Sequence, residues 1–526
     1  MLQIKNLTIT HKRDLRTIVE DFGLTLDKGD KAVLIGEEGN GKSTLLKWVY
    51  DPESISSYAQ ARGECVRGGE KPGYLSQELA PDEGDKNVYD FFAEEDLFWE
   101  MSPGELNELA VMLRLPVDFF YGGQKLSTLS GGEKVKARMA RILMAKPSML
   151  LLDEPSNDID IETLEWLEGF IRESDLPVLF VSHDETLIER TANMVIHLEQ
   201  IRRKTVCRYT VANMPYRDYI GHRNAQLENQ ARNARNDKRQ EEIRQEKLHN
   251  IMQKVERDQE KISRQDPFGA SLLKKKMKAM KSMEKRFGRE AEGAAQMPET
   301  EEAIFFKFGQ DIRMPSGKVV LDLDMGELTV RDDEDGAIRG GGGDAESGIR
   351  ILSRNIRLVV RGGEKVCIVG KNGVGKTTLL RRIAGELLGR GDIHAAYMPQ
   401  NYEELLDMSR TCVEYLCRDG SKEEATRIRT FLGSMKYTAE EMEHPVSELS
   451  GGQKAKVALL KMSISGADVL ILDEPTRNFS PLSNPVIRDV LRDYGGTVIS
   501  VSHDRKYIGE VCPIVYELTR EGLKLV

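Results

Sequence analysis

Four short segments of this chain occur twice, in the same order. GEEGNGKSTLLK at 36–47 returns as GKNGVGKTTLLR at 370–381, LSGGEKVKARMA at 129–140 as LSGGQKAKVALL at 449–460, LLLDEP at 150–155 as LILDEP at 470–475, and VSHD at 181–184 as VSHD at 501–504. From the second segment onward the spacing is constant, since 451 − 131, 473 − 153 and 503 − 183 all equal 320. Chance matches do not keep one offset, so the chain is read as one structural unit written twice. Its 526 residues suffice for two or three separate cores, because a single core stops growing well before that length.

Each copy has the pattern of an α/β domain. KAVLIG at 31–36 and KVCIVG at 365–370 are short apolar runs that end in a glycine loop and pass into a helical pattern. MLLLD, VLFVS, VLILD and VISVS are further continuous apolar runs bounded by polar turns, as expected of parallel strands buried on both faces. The first copy is placed at 1–208 and the second at 299–526, with a segment of different composition at 209–298.

That middle segment hides inside a net charge of −10. Arg217 to Glu290 carries 20 Lys or Arg against 12 Asp or Glu, which is +8 and leaves −18 for the rest. Rich in Gln, Glu, Arg, Lys and Asn, and broken only at Asp266-Pro267-Phe268-Gly269, it reads as two long helices joined at a turn. On the returning arm Leu272, Leu273, Met277, Met280, Met283 and Phe287 fall at three-and-four spacing, giving a basic helix one apolar stripe. The basic excess near the turn, with Lys274, Lys275, Lys276 and Lys278, suits contact with RNA. A second unusual stretch, 331–348, sets four consecutive glycines among acids and predicts a mobile loop early in the second copy. Cys65, Cys207, Cys367, Cys412, Cys417 and Cys512 show neither metal-ligand nor disulfide spacing, which fits a reducing compartment. No apolar run is long enough to span a bilayer and the N-terminus lacks a secretory pattern, so the expected location is cytoplasmic, without a membrane domain.

The repeated segments carry a coherent chemistry. Residues 36–43 and 370–377 both satisfy G-x-x-x-x-G-K-[ST]. In such a loop Gly36, Gly39 and Gly41, and likewise Gly370, Gly373 and Gly375, let successive amides turn onto phosphate oxygens, with Asn40 and Val374 between them. Lys42 and Lys376 reach the β and γ phosphates, Ser43 and Thr377 ligate Mg²⁺, and Thr44 and Thr378 continue the first turn of a helix whose positive end faces the anion. Asp153 and Asp473 end apolar strands, where a carboxylate can hold Mg²⁺ through water, and Glu154 and Glu474 follow as candidates to orient and deprotonate the attacking water. Gln77 in YLSQ and Gln400 in YMPQ stand where an amide can reach Mg²⁺ and that water. His183 and His503 stand where an imidazole can donate to a γ-phosphate oxygen. Ser130, Gly131, Gly132 and Glu133, and Ser450, Gly451, Gly452 and Gln453, begin helices and so form a second anion site in each copy. Two phosphate sites per copy cease to be redundant if the copies face each other, each nucleotide lying between one copy's loop and the other's Ser-Gly-Gly.

With these motifs the sequence resembles an ATP-binding cassette protein, specifically of the ABC-F family, with two cassettes, no transmembrane domain and a charged linker. The resemblance covers essentially the whole chain and implies two P-loop NTPase domains joined by a helical-hairpin linker, with ATP and Mg²⁺ as cofactors. It implies composite sites in which Lys42, Ser43, Gln77, Asp153, Glu154 and His183 work with 450–453, and Lys376, Thr377, Gln400, Asp473, Glu474 and His503 with 130–133. Members of this family bind the ribosome, with the linker hairpin reaching toward rRNA and the P-site tRNA; some are translation factors and others displace antibiotics. One departure stands out: in DEPTRNFS, Ser480 occupies the place of Asp160 in DEPSNDID, where the family commonly has aspartate, so the two sites are expected to turn over unequally. The intervals from glutamine to Ser-Gly-Gly, 130 − 77 = 53 and 450 − 400 = 50, leave no room for the arm some members insert, which leans toward the ribosome-protection branch. The expected protein is a monomer whose own cassettes pair, hydrolysing ATP on the ribosome. The alternatives are the motor subunit of a transporter with a separate membrane partner, or a DNA-associated ATPase. Sustained heptads are lacking for the latter.

Overall fold

The continuous apolar runs form strands buried along their length. The computed structural model describes residues 2–69, 71–80, 82–201, 204–261, 271, 275–283, 285–286, 297–298, 312–331 and 349–526. In the N-terminal lobe the central sheet runs in the order Pro72–Leu75, Met149–Asp153, Val178–Val181, Lys31–Ile35, Met194–Ile201 and Val206–Ala212. The first five strands are parallel and the last is antiparallel. The C-terminal lobe repeats the order with Ala395–Met398, Val469–Asp473, Thr497–Val501, Lys365–Val369, Ile514–Thr519 and Gly522–Leu525. Every residue of Lys31–Ile35, Met149–Asp153 and Val469–Asp473 is enclosed, as parallel strands covered on both faces require.

Each lobe adds antiparallel strands. Thr17–Leu26, Leu2–His11 and Ala59–Val66 form a three-stranded sheet in the first, and Val319–Arg331 pairs with Ile349–Arg361 in the second. Their apolar faces join the central sheet in one core: Ile4, Phe22, Leu46, Leu151 and Ile196 in the N-terminal lobe, and Leu321, Leu358, Leu380, Ile471 and Val501 in the C-terminal lobe. A second core of the C-terminal lobe lies around Leu432, Leu460 and Leu472. The Gly/Asp-rich stretch at 332–348 and the Asp266–Gly269 breaker lie outside the described residues.

The strand Val206–Ala212 pairs with Met194–Ile201, so the first lobe's sheet continues past residue 208. Its half-exposed, alternating side chains lack the continuous apolar run that marks the inner strands. The chain divides into two compact units, Met1–Tyr216 with Glu301–Val526, and Arg217–Thr300.

In the smaller unit the helix Tyr216–Lys261 supplies Leu248, Met252 and Val255, which pack against Met277 and Met280 of the helical stretch at 275–283. Met277 and Met280 are two of the six stripe residues. Met283 is exposed, and Leu272, Leu273 and Phe287 lie outside the residues whose side chains are described.

Candidate nucleotide sites between the lobes

Glycine shapes each phosphate loop where no side chain fits. Gly36 and Gly370 have φ of +148° and +146°, and a Cβ there would lie 2.3 Å from the Leu198 carbonyl oxygen or 2.4 Å from that of Leu518. Asn40 braces the first loop by donating to the Leu198 carbonyl at 3.0 Å, while Val374 is buried in the core of the second lobe. Gly39, Gly41, Gly373 and Gly375 all have positive φ, and Thr44 and Thr378 sit on the helices Lys42–Tyr50 and Lys376–Leu388. Lys42 donates to the carbonyls of Gly36 and Glu37 at 2.9 and 3.1 Å. Lys376 does the same to Gly370 and Lys371 at 2.8 and 3.0 Å. Each ammonium is therefore held inside the loop, where phosphate oxygens are its natural partners.

The strand ends bring the acids to the loops. Asp153 lies opposite Val181 in register, and Asp473 opposite Val501, which sets each aspartate beside the Ser-His turn. Ser43 Oγ donates to Asp153 Oδ1 at 2.9 Å. Both carboxylate oxygens of Asp473 are buried without a hydrogen-bond partner, and burial raises Asp153 and pushes Asp473 up to about 6. A buried carboxylate lacking donors fits a cation, and Mg²⁺ takes few protein ligands beyond phosphate oxygens. Ser43 with Asp153, and Thr377 with Asp473, fit that ion.

Glu154 and Glu474 both adopt left-handed backbone, φ +51° and +50°, which is uncommon outside glycine and clusters at functional positions. Amide bonds to Val181 at 3.1 Å and Val501 at 2.9 Å hold them there. Glu154 Oε1 is 2.9 Å from His183 Nε2, whereas Glu474 Oε1 is 3.8 Å from His503 Nε2. Burial alone would raise the Glu154 carboxyl, but His183 draws it below its ordinary value. Burial, with Asp473 adjacent, pushes Glu474 up to about 8, and burial near Lys376 pushes His503 down to about 4. The glutamines also differ. Gln400 faces the inter-lobe cavity and donates to Asp158 Oδ1 at 3.4 Å, while Gln77 is exposed in the turn after Pro72–Leu75.

Ser130 and Ser450 cap the helices Gly131–Met144 and Gly451–Ser465. Glu133 and Gln453 fold back to complete capping boxes, accepting from Ser130 N at 2.9 Å and Ser450 N at 3.1 Å. These two side chains thus position the helix start; the amides of Gly451 and Gly452 reach across the interface to Glu38, and Gly131 lines the inter-lobe cavity. A Cβ on Gly131 would meet the Asp158 carbonyl oxygen at 1.8 Å and one on Gly452 the Asn478 carbonyl oxygen at 2.6 Å.

The lobes face each other head to tail. A cavity of about 810 Å³ has Ser130, Gly131 and Glu133 on one wall and Gly373, Lys376, Thr377, Asp473, Glu474 and His503 on the other. Around it Arg477 pairs with Asp158 at 2.8 Å, Lys371 with Glu162 at 2.7 Å, and Asn372 donates to the Asp158 carbonyl at 2.6 Å. The opposite seam brings 36–43 against 450–453, where Glu38 accepts from Gly451 N at 3.2 Å and also from Gly452 N. Its neighbour Glu37 pairs with Lys456 at 3.1 Å and accepts from Ser480 at 2.6 Å and from Ser483. Between the seams, buried Arg488 forms a two-pronged pair with Glu185, which Lys506 also contacts at 3.0 Å.

Glu37, Glu38, Lys456, Ser483, Glu185 and Arg488 escaped the motif reading. The available signal was the unusual pair of acids inside a phosphate loop, set against Lys371 and Asn372 at the equivalent places, and the Ser480 departure.

Comparison with known proteins agrees with this architecture. The family model described as ABC transporter matches residues 19–157 and 353–477. ABC transporter F family member 5 of Arabidopsis thaliana is 26% identical over 95% of this chain and 73% of its own length. The ribosome protection protein VmlR of Bacillus subtilis (strain 168) is 26% identical over 100% of this chain and 88% of its own. Among solved structures, an archaeal ribosome recycling factor, in complex with the archaeal ribosomal stalk protein, superposes with a TM-score of 0.58 at 17% identity, covering 99% of this chain and 89% of that one. That likeness is one of fold.

Proposed function

Because the chain belongs to the ATP-binding cassette family, and to its tandem-cassette ABC-F type, we propose that it hydrolyses ATP to work on the ribosome, as a translation factor or an antibiotic-resistance protection protein. The observation that carries this reading is that each phosphate loop faces the Ser-Gly-Gly helix of the other cassette, so that nucleotide and cassette pairing are one equilibrium. A ligand shifts such an equilibrium only through its differential affinity for the closed form, and anions held from both sides supply that difference. Bound Mg²⁺ supplies charge neutralisation at the phosphates. Lys42 and Lys376 hold the phosphate oxygens; wherever a γ-phosphate is bound, Glu154 or Glu474 orients and deprotonates the attacking water and His183 or His503 donates toward that phosphate. Gln400 is placed to help from the cavity wall, with Gln77 its counterpart in the first cassette.

Two features support the ribosome as partner. A relative aligned over 100% of this chain and 88% of its own length is named a ribosome protection protein, and the segment Arg217–Glu290 carries the +8 excess, 20 − 12, of an otherwise acidic chain, which suits contact with rRNA and P-site tRNA. Among the described residues no helix is long and apolar enough to cross a membrane.

The test is Glu154→Gln combined with Glu474→Gln. This variant is expected to co-sediment with ribosomes in ATP, where the wild type is released. A double variant that stays in the supernatant under those conditions refutes the reading. Growth of a susceptible bacterium carrying the wild-type gene across peptidyl-transferase inhibitors then separates protection from a general translation role.

A further inference from the structure

The two nucleotide seams differ in charge at equivalent positions. In the first phosphate loop, positions 37 and 38 are both glutamate; in the second, their counterparts are Lys371 and Asn372. The surfaces opposite differ to match. Lys371 and Asn372 face the acidic stretch Asp158–Glu162, through the 2.7 Å pair with Glu162 and the 2.6 Å bond to the Asp158 carbonyl. Glu37 instead meets Lys456, Ser480 and Ser483. Ser480 is therefore the partner of Glu37 rather than a decayed aspartate: a carboxylate at 480 would oppose the Glu37 carboxylate within hydrogen-bonding distance, a like-charge contact in a poorly solvated seam.

Glu38 has the larger consequence. The amides of Gly451 and Gly452 begin a 15-residue helix and form the anion seat of that seam. At the other seam the equivalent helix, Gly131–Met144, opens onto the 810 Å³ cavity facing Lys376 and Thr377. At the first seam the seat is taken by the chain itself, since Glu38 accepts from both Gly451 N and Gly452 N.

We propose that Glu38 stands in for the terminal phosphate at the Ser-Gly-Gly helix of the second cassette, making the Lys42 site selective for a nucleoside diphosphate and leaving the Lys376 site as the one that closes on triphosphate. This proposal rests on the reading of both seams as nucleotide sites. A diphosphate on Lys42 leaves the helix amides to the glutamate, so the seam is bridged without a third phosphate. A triphosphate must displace that carboxylate, and its γ oxygens then lie beside the Glu38 carboxylate, while Lys456 is already paired with Glu37. At the other seam Asn372 is neutral and the seat accepts the γ-phosphate directly. The seams then have separate tasks: one stays joined, and the other opens and closes with ATP.

The experiment isolates each site in the full-length chain. Lys376→Ala disables the second loop and Lys42→Ala the first, and binding of Mg-ADP and Mg-ATPγS to each is measured by equilibrium dialysis. Lys376→Ala is expected to bind ADP at least as tightly as ATPγS, and Lys42→Ala to prefer ATPγS. Adding Glu38→Asn, which imports the second loop's residue, to Lys376→Ala is expected to shift the ratio toward ATPγS by about tenfold or more. Glu38→Gln, nearly isosteric, is expected to shift it in the same direction, and circular dichroism establishes that each variant is folded. The proposal is overturned if Lys376→Ala already prefers ATPγS strongly, if neither substitution at 38 moves the ratio, or if Lys376→Ala binds no nucleotide while Lys42→Ala does. Loss of nucleotide binding by the unmutated protein is a different result, which sinks the ATPase reading itself.

Discussion

At the scale of residues, Glu37 shows how a buried charge becomes useful only through its partners. Burial alone would raise its carboxyl, but Lys456, with the hydroxyls of Ser480 and Ser483, pulls it down to about 2 from an ordinary 4.5. A carboxylate depressed in the folded state contributes stability above its unfolded pKa and loses it as pH falls through the folded value. Glu37→Gln is therefore expected to be less stable than wild type by about 2 kcal/mol at neutral pH. That gap should hold down to about pH 4.5 and close toward pH 2, as read from urea midpoints of the two proteins at each pH. An equal gap at pH 7 and pH 2.5 would mean that the side chain acts by packing and not by charge. This residue was illegible in the sequence for a plain reason: its partners lie hundreds of positions away, Ser480 at a separation of 443. Lys42, Asp153 and Glu154 were legible because their chemistry is written in local spacing. The capping role of Glu133 was also legible in principle, from Ser at one position and Glu three later.

At the scale of elements, the helices that follow the two histidines hold the lobes together between the nucleotide seams. Glu185 opens Glu185–Thr191, and its carboxylate takes both prongs of Arg488 on Asn484–Arg492 and Lys506 on Arg505–Val511. Arg488 and Glu185 are 3% and 5% exposed, so removing either breaks a buried ion pair and leaves the survivor with only its second partner, Glu510 for Arg488 and Lys506 for Glu185. Glu185→Ala and Arg488→Ala are each expected to weaken lobe pairing by about 3 kcal/mol, and the pair together by much less than the sum. A double-mutant cycle on thermal unfolding checks this, and additivity would remove the claim that the two act as one contact. Inner strands such as Met149–Asp153 were readable as unbroken apolar runs. Val206–Ala212 was not, because an outer antiparallel strand carries its information in a pairing register and not in its own hydrophobicity.

At the scale of the whole molecule, each lobe has its own hydrophobic core, and the described inter-lobe contacts at the seams are polar. Each half is therefore expected to fold separately yet lack a complete site. Purified singly, residues 1–216 and 312–526 should each show below about 1% of the full-length ATPase rate, the loss expected when the charge-stabilising groups of a site are withheld. Mixing them at high concentration should restore activity in proportion to complex formed. A lone half that turns over at the full rate would overturn the composite-site reading. The head-to-tail arrangement itself followed from counting two anion sites per copy. The difference between the seams required seeing which acids they hold.

The swap of Glu37 and Glu38 for Lys371 and Asn372 is also expected to disfavour exchange of halves between neighbouring molecules. Were two N-terminal halves from different copies to dock, Glu37 would confront Asp160 instead of Ser480, and repulsion would disfavour the match. Two C-terminal halves would leave Lys371 without its Glu162 partner, whose place is taken by Leu482. Kinship between the halves invites promiscuous pairing in a crowded cell, and this small electrostatic lock directs each half back to its own sibling.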